Sequence, residues 1–264
     1  SSFGIANKEP NRDDYVESEF GSYPKHETLY DYEGGYTINT KSISLSTNAY
    51  YMFYKNQLVP TGEINNVGAY IRTNIEASFR TGLEIEGAIQ LSKKIKLGAN
   101  ITVSKNKISR FTEYIDNWDS WGQDSIEHEN TDIAFSPNII WASQISYLPY
   151  DNLELDFISK YVGEQYIDNT SSKERMLDDY LINHIRIIYN WENSLFTTTK
   201  ITLKINNVLN NKYESNAWTY RFISENYDPR QDDIYVTKGE KGYNMSGYFP
   251  QAGRHYLLGI TLGL

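Results

Sequence analysis

Apolar and polar residues alternate one by one along most of this chain, and a period of two confines it to β-strands with one apolar and one polar face. Ile43, Leu45, Ala49, Tyr51 and Phe53 interleave with Ser42, Ser44, Ser46, Asn48 and Asn56. Leu83, Ile85, Ile89 and Leu91 oppose Glu84, Glu86 and Gln90, and Ile95, Leu97, Ala99, Ile101 and Val103 oppose Lys96, Asn100, Thr102 and Ser104. The pattern recurs at Ile201, Leu203 and Ile205 against Lys200, Thr202, Lys204 and Asn206, and it closes the chain at Tyr256, Leu258, Ile260, Leu262 and Leu264. Helical spacing holds over no comparable length. About ten strands result, with cores near 1–9, 27–38, 42–59, 73–91, 95–113, 133–148, 153–167, 179–191, 199–213 and 252–264. Several exceed the roughly 5–6 residues of an ordinary globular strand. They also exceed the roughly 9–11 that cross a bilayer, so such strands project beyond a membrane.

Two kinds of connection separate the strands. Asn39-Thr40-Lys41, Ser92-Lys93-Lys94, 149–152 and 192–198 are short, whereas 10–26, 60–72, 114–132, 168–178 and 214–251 are long and polar. Short and long alternate strictly. A soluble sandwich shares the alternation of residues, but nothing in it gathers every long connection at one end. An up-and-down transmembrane barrel, with short periplasmic turns and long extracellular loops, requires that arrangement. It puts 114–132 and 214–251 outside and Lys93-Lys94 inside. Tyr51, Phe53, Trp141, Tyr147, Tyr161, Tyr189, Trp191 and Tyr256 fall near strand ends on the apolar face, where interfacial girdles form. The fold class is all-β: an antiparallel up-and-down transmembrane β-barrel segment.

Composition is compatible with that reading. No apolar run approaches the roughly 20 residues of a membrane helix, and strands that alternate average out polar. A net charge of −9 argues against a nucleic-acid partner, which needs a clustered basic face. Cysteine is absent, which removes disulfides and thiol chemistry. The opening Ser1-Ser2-Phe3-Gly4 has no basic segment followed by an apolar one. For an exported protein this implies a mature chain or a piece of a longer one.

The most specific text is at the C-terminal end. Asn206-Asn207-Val208-Leu209-Asn210-Asn211-Lys212-Tyr213 precedes a long loop, then Tyr248-Phe249-Pro250-Gln251-Ala252-Gly253-Arg254, then the closing strand. Upstream stand Pro24-Lys25-His26-Glu27, leading to Tyr32-Glu33-Gly34-Gly35-Tyr36, and Asn66-Val67-Gly68, leading to Gly82-Leu83-Glu84. Lys160-Tyr161-Val162-Gly163-Glu164-Gln165-Tyr166 is a further piece. Together these resemble the last strands of TonB-dependent outer-membrane receptors of the iron and siderophore type, over nearly the whole chain. The closing strand departs in two places: Leu264 stands where the family commonly ends in an aromatic, and Leu257 where a polar residue is typical.

The resemblance implies a barrel of 22 strands with an N-terminal plug. Residues 1–264 then form its C-terminal portion, about strands 13 to 22, with the plug, the TonB box and the earlier strands absent. It implies a Gram-negative outer membrane and uptake of a ferric siderophore or similar bulky nutrient. The partners are the TonB energy-transducing complex through the missing plug, the nutrient, and membrane lipid with lipopolysaccharide. No cofactor and no catalysis belong to this scheme. The piece alone is not expected to close into a transporter.

Candidate site residues follow from the loops. Trp118, Trp121, Trp218, Tyr220 and Arg221 are the candidate ligand-binding residues, since aromatic faces stack on bulky ligands. The wall supplies inward polar groups: Glu84, Glu86, Asn100, Gln144, Glu154 and Asp156. Segment 114–132 holds Asp116, Asp119, Asp124, Glu127, Glu129 and Asp132 without Lys or Arg. It is a solvated loop, a seat for ions bridging lipopolysaccharide, or an attractor for a cationic ligand. His26, His128, His184 and His255 show no metal-ligand spacing. Three alternatives stay open: a complete ten-strand outer-membrane protease, a glycan-importing receptor, and a non-transporting adhesive β-protein.

Overall fold

A computed structural model describes residues 1–18, 21, 23–65, 68, 70–192 and 194–263. In chain order the elements are β1 (Ser2–Lys8), α1 (Arg12–Glu17), β2 (Glu27–Asn39), β3 (Ile43–Ile64), β4 (Tyr70–Ser92), β5 (Ile95–Asn117) and β6 (Gly122–Asp132). Then come β7 (Ile139–Tyr150), β8 (Leu153–Val162), β9 (Gln165–Tyr166), β10 (Met176–Leu177), β11 (Tyr180–Asn190) and β12 (Thr198–Asn206). The last are β13 (Glu214–Ile223), a 3-10 turn at Pro229–Gln231, β14 (Val236–Gly239), β15 (Gly242–Pro250) and β16 (His255–Gly263). The wall is one antiparallel meander in the order β1-β2-β3-β4-β5-β7-β8-β11-β12-β16. That is the ten-strand count expected from the sequence. Among the described residues β1 pairs only with β2 and β16 only with β12, so the sheet is open.

The four short connections stand where expected, with Lys93 and Lys94 between β4 and β5 and Asp151 and Asn152 between β7 and β8. Two expected loops are instead strand. The stretch 60–72 shrinks because β3 runs to Ile64 and β4 starts at Tyr70. The stretch 114–132 is a hairpin of β5 and β6, paired from Lys107↔Asp132 to Asn117↔Gly122. Conversely, 133–138 precedes β7 as irregular chain, and β8, β12 and β16 are confined to Leu153–Val162, Thr198–Asn206 and His255–Gly263. Leu264, Asn66 and Val67, which carried part of the sequence pattern, lie outside the described residues.

Cross-strand register joins the apolar positions into one continuous outer face. One row runs Thr47↔Ile85, Ile85↔Ile101, Ile101↔Trp141 and Trp141↔Tyr161. The opposite parity gives Glu86↔Asn100, Glu84↔Thr102 and Ser146↔Asp156, which puts the expected inward polar groups on the other face. Aromatic pairs mark the loop end of the outer face: Phe3 with Tyr32 at 4.6 Å, Tyr51 with Phe79 at 6.0 Å and Trp141 with Tyr161 at 6.1 Å between ring centres. Tyr147 and Tyr189 mark the turn end. Trp141 and Tyr147 are six residues apart in β7, about 20 Å along a strand, which approaches the roughly 25 Å apolar band of a barrel.

Above that band the strands change face. Inward burial falls on even positions at Ser78, Asn106 and Ile108, and on odd positions at Val59, Ile75, Phe111 and Ile115. Asn56 and Glu76 drop out of the β3–β4 ladder, and Ser109 and Asn130 out of the β5–β6 ladder. Asn56 and Asn130 adopt φ +57° and +54°, the left-handed region that Asn tolerates better than most residues. Register is unchanged across these breaks, and with the change of face Val59, Ile75, Ile108, Phe111 and Ile133 form one cluster over the top of the wall. Beyond the row β5 pairs with β6 rather than β4, and a wedge opens between them. At its far end Gly62 has φ +86°, and a Cβ there would stand 2.2 Å from the Tyr114 carbonyl oxygen. Gly62→Ala is therefore expected to destabilise this upper region by about 1–3 kcal/mol through clash and strain. Faster amide exchange at residues 57–62 and 111–116, with the lower strands unchanged, is the readout.

The asparagine-rich text after β12 is a knot of side-chain bonds. Asn207 exchanges bonds with Asn211 (Nδ2 to O, 2.8 Å; N to Oδ1, 3.0 Å), and Asn211 Nδ2 donates to Leu181 O at 2.7 Å. Asn210 Oδ1 accepts from Arg254 N at 2.9 Å. Asn207 and Asn210 have positive φ. The motif thus ends β12, ties it to β11 and anchors Arg254 at the entry to β16.

Candidate functional site

Two of the expected long connections, 168–178 and 214–251, fold onto the loop rim of the wall. β13, β14 and β15 form a small sheet, and β13 runs parallel to the tip of β5 through Phe222↔Asp116 and Ile223↔Asn117. β9 and β10 pair with each other. These pieces roof the wedge between β3 and β5 and leave a cavity of about 590 Å³. Its aromatic lining comes from Tyr70, Phe111, Tyr114, Phe135, Trp218 and Tyr220, and its ionisable lining from Glu113, Asp116, Asp168 and Arg221.

Two of the three carboxylates are neutralised in place. Glu113, buried, accepts Arg221 Nη1 on both oxygens (2.8 and 2.6 Å) and lies 2.8 Å from His128 Nε2. Asp168 accepts Arg175 Nε at 2.5 Å, and the same guanidinium donates to Thr170 Oγ1 at 2.7 Å and Asn244 Oδ1 at 3.1 Å. Asp116 has neutral partners: it accepts Tyr220 Oη at 2.9 Å and Gln123 Nε2 at 2.8 Å. Trp118 Nε1 in turn donates to Tyr220 Oη at 3.1 Å. Burial, then the bond to Asp116 and its negative charge, push the Tyr220 hydroxyl up to about 12, against the opposing bond from Trp118. That hydroxyl therefore stays protonated and donating at any physiological pH.

Burial raises the Glu113 carboxyl, but the bonds from His128 and Arg221 and the guanidinium charge outweigh it and hold the group below the usual glutamate range. Asp119 is also lowered, chiefly by the backbone N–H of Glu225. A carboxylate with a depressed folded pKa stabilises the fold above its unfolded value, about 4.3 for Glu, and loses that contribution as pH falls through the folded one. Exchange protection around β13 is therefore expected to hold from neutrality to about pH 5 and to fall in stronger acid. Glu113→Gln should flatten that acid step.

The five candidate residues have different fates. Trp218, Tyr220 and Arg221 line the cavity. Trp218 lies over Gly247 of β15, where a Cβ would stand 2.3 Å from its ring nitrogen. Trp118 stacks on Phe222 at 4.0 Å and supports the site from behind. Trp121, at the β5–β6 tip with φ +56°, is 94% exposed and touches none of the cavity. Arg221 is already paired. Asp116 stands out in the sequence only as one of the acids of 114–132; the residues missed by sequence reading are Glu113, Tyr70 and Arg175, which sit in strand and loop text with no local motif. The acids of 114–132 are mostly engaged: Glu129 with Arg110 at 2.7 Å, Asp132 with Lys107 at 2.8 Å, and Glu127 with Thr112 at 2.5 Å. His128 stacks on Phe111. Among the described residues no group of three or more His, Asp and Glu side chains could hold a metal ion.

No family model matches the chain, and no curated protein sequence matches it. Solved structures do. The ferric-catecholate import receptor Fiu from K12 E. coli superposes with a TM-score of 0.61 at 14% identity, over 97% of this chain and 31% of that one. The siderophore receptor PiuA from Acinetobacter baumannii gives 0.62 at 12%, over 90% and 28%. The copper transporter OprC gives 0.62 at 12%, over 97% and 36%. The chain thus spans about a third of the length of these proteins, and its fold is that of a portion of their barrels.

Proposed function

We propose that this chain is the C-terminal portion of an outer-membrane uptake receptor in a Gram-negative bacterium. In this reading residues 1–264 supply the last ten strands of a barrel of 22. The plug and earlier strands belong to the rest of the full-length protein, and TonB supplies the energy by pulling on the plug. The carrying observation is the open ten-strand wall whose loop rim is built into a folded mouth around a cavity. An unpaired strand edge in lipid costs several kcal/mol per group, so β1 and β16 need further strands. That requirement counts against a complete ten-strand barrel of the protease kind.

The nutrient class follows from what the similar receptors are named for: iron-bearing siderophores, with copper in one instance. A ferric siderophore is the reading we adopt. The lining then acts by fit and charge, not by covalent chemistry: Trp218 and Tyr220 offer flat faces, and Arg221 is held in place by Glu113. Membrane lipid contacts the apolar band between the aromatic rows.

The test is iron uptake by cells that depend on the full-length protein. Radioactive iron delivered as ferric siderophores should enter in a TonB-dependent manner, and removal of residues 214–251 should abolish uptake while the barrel still inserts. Entry that is independent of TonB, or no entry with any ferric siderophore, would overturn the reading.

A further inference from the structure

The cavity at the mouth carries one carboxylate that the chain leaves uncompensated. Glu113 is neutralised by Arg221 and Asp168 by Arg175. Asp116 forms no ion pair among the described residues, and the eight residues outside them include no Lys, Arg or His. Its oxygens are instead bound by the neutral donors Tyr220 Oη and Gln123 Nε2. Those bonds fix the carboxylate in the lining beside the rings of Tyr70, Tyr114, Trp218 and Tyr220.

A lone carboxylate at the wall of a partly enclosed cavity pays a desolvation cost that an incoming cation would offset. Aromatic faces around it add attraction for the same charge sign, since ring faces are negative. The surroundings point the same way: Glu63 and Glu127 stand near Tyr114 of the lining, in a chain of net charge −9. An anionic ligand would meet Arg221 only after displacing Glu113 from it, leaving a buried acid with His128 as its remaining partner.

We propose that the mouth cavity selects ligands that carry a positive charge, seating an ammonium or comparable cationic group against Asp116 with an apolar body on the surrounding rings. This deepens the uptake reading and rests on it: the cargo is a metal complex with a cationic tail, not an anionic one. Asp116 is the selectivity residue, and Tyr220 and Gln123 are positioning residues that hold it.

The test uses the full-length protein in lipid nanodiscs and two probes that differ at a single amine, charged in one and capped as a neutral amide in the other. One is ferrioxamine B, a ferric trihydroxamate with a free ammonium tail; the other is the same complex with that amine acetylated. The cationic complex should bind roughly tenfold or more tighter, as a charge-assisted hydrogen bond implies. Asp116→Asn should erase the preference by weakening the cationic complex alone. Tyr220→Phe, which keeps the ring, should reduce the preference partially. Equal affinity for the two complexes, or a preference that survives Asp116→Asn, overturns the inference and leaves uptake standing. Binding of neither, with no TonB-dependent iron uptake, sinks both. Binding of neither alongside intact uptake sinks the cationic-tail inference alone.

Discussion

Arg186→Met is expected to lower the unfolding free energy of the full-length protein by about 3 kcal/mol, near the lower end of the range for breaking one side of a buried ion pair. Arg186 Nε donates to Asp156 Oδ2 at 2.7 Å, and the Asp156 side chain has no solvent exposure while that of Arg186 has about a third. Ser146 Oγ and Gln144 Nε2 complete the shell of Asp156, at 2.5 and 3.1 Å. Removing the guanidinium leaves a carboxylate inside the wall with neutral donors only. Exposure of Arg186 places the loss at the lower end, because water screens its side of the pair. The double variant Asp156→Asn, Arg186→Met should recover most of the loss, since neither charge is then orphaned. Denaturant unfolding in lipid vesicles reads both. A single variant as stable as the parent would mean that the pair is not formed in the membrane.

Its neighbour in sequence gives the second large effect. Ile185 pairs with Phe157 and Ile205 on the outer face, midway between Leu181 and Tyr189. Ile185→Arg puts a cation into the lipid band, where the cost is about 2–4 kcal/mol at mid-depth. His184→Arg, one residue away and facing inward beside Lys204 and Asn206, should cost under about 1 kcal/mol, because the polar face remains hydrated. The contrast between adjacent positions is the measurement. Equal losses would mean that the two faces are reversed or that neither meets lipid.

Local text revealed the wall and hid the mouth, for physical reasons. Alternation is a property of consecutive residues, so Ile201, Leu203 and Ile205 announce β12 without reference to anything else. The expected long loops at 60–72 and 114–132 went wrong where alternation is broken rather than absent. At Asn56 and Ser109 the inward parity changes, and a scan that assumes one parity reads the continuation as loop. The cavity is harder still. Glu113 and Arg221 are 108 residues apart, and Asp116 acquires meaning only beside Tyr220. Trp118 and Trp121 are equivalent by sequence. In the fold, Trp118 packs on Phe222 and Trp121 points from a left-handed tip residue into solvent. The asparagine motif was legible as a resemblance; its bonds to Leu181 and Arg254 supply the physical cause.

The row of ladder breaks at Asn56 and Ser109 gives β3 and β5 two reading frames on a single strand. Below it the frame is dictated by the bilayer, and above it by the mouth. On the uptake reading proposed above, a substitution above Asn56 or Ser109 answers to the mouth and the loop core, and one below answers to lipid and lumen. Holding Asn56 in a regular extended conformation would merge the frames and swing Val59 and Thr61 outward while the lipid face stayed in register. Such a joint leaves the mouth and the wall free to vary separately, because the two sets of demands meet at one row of residues.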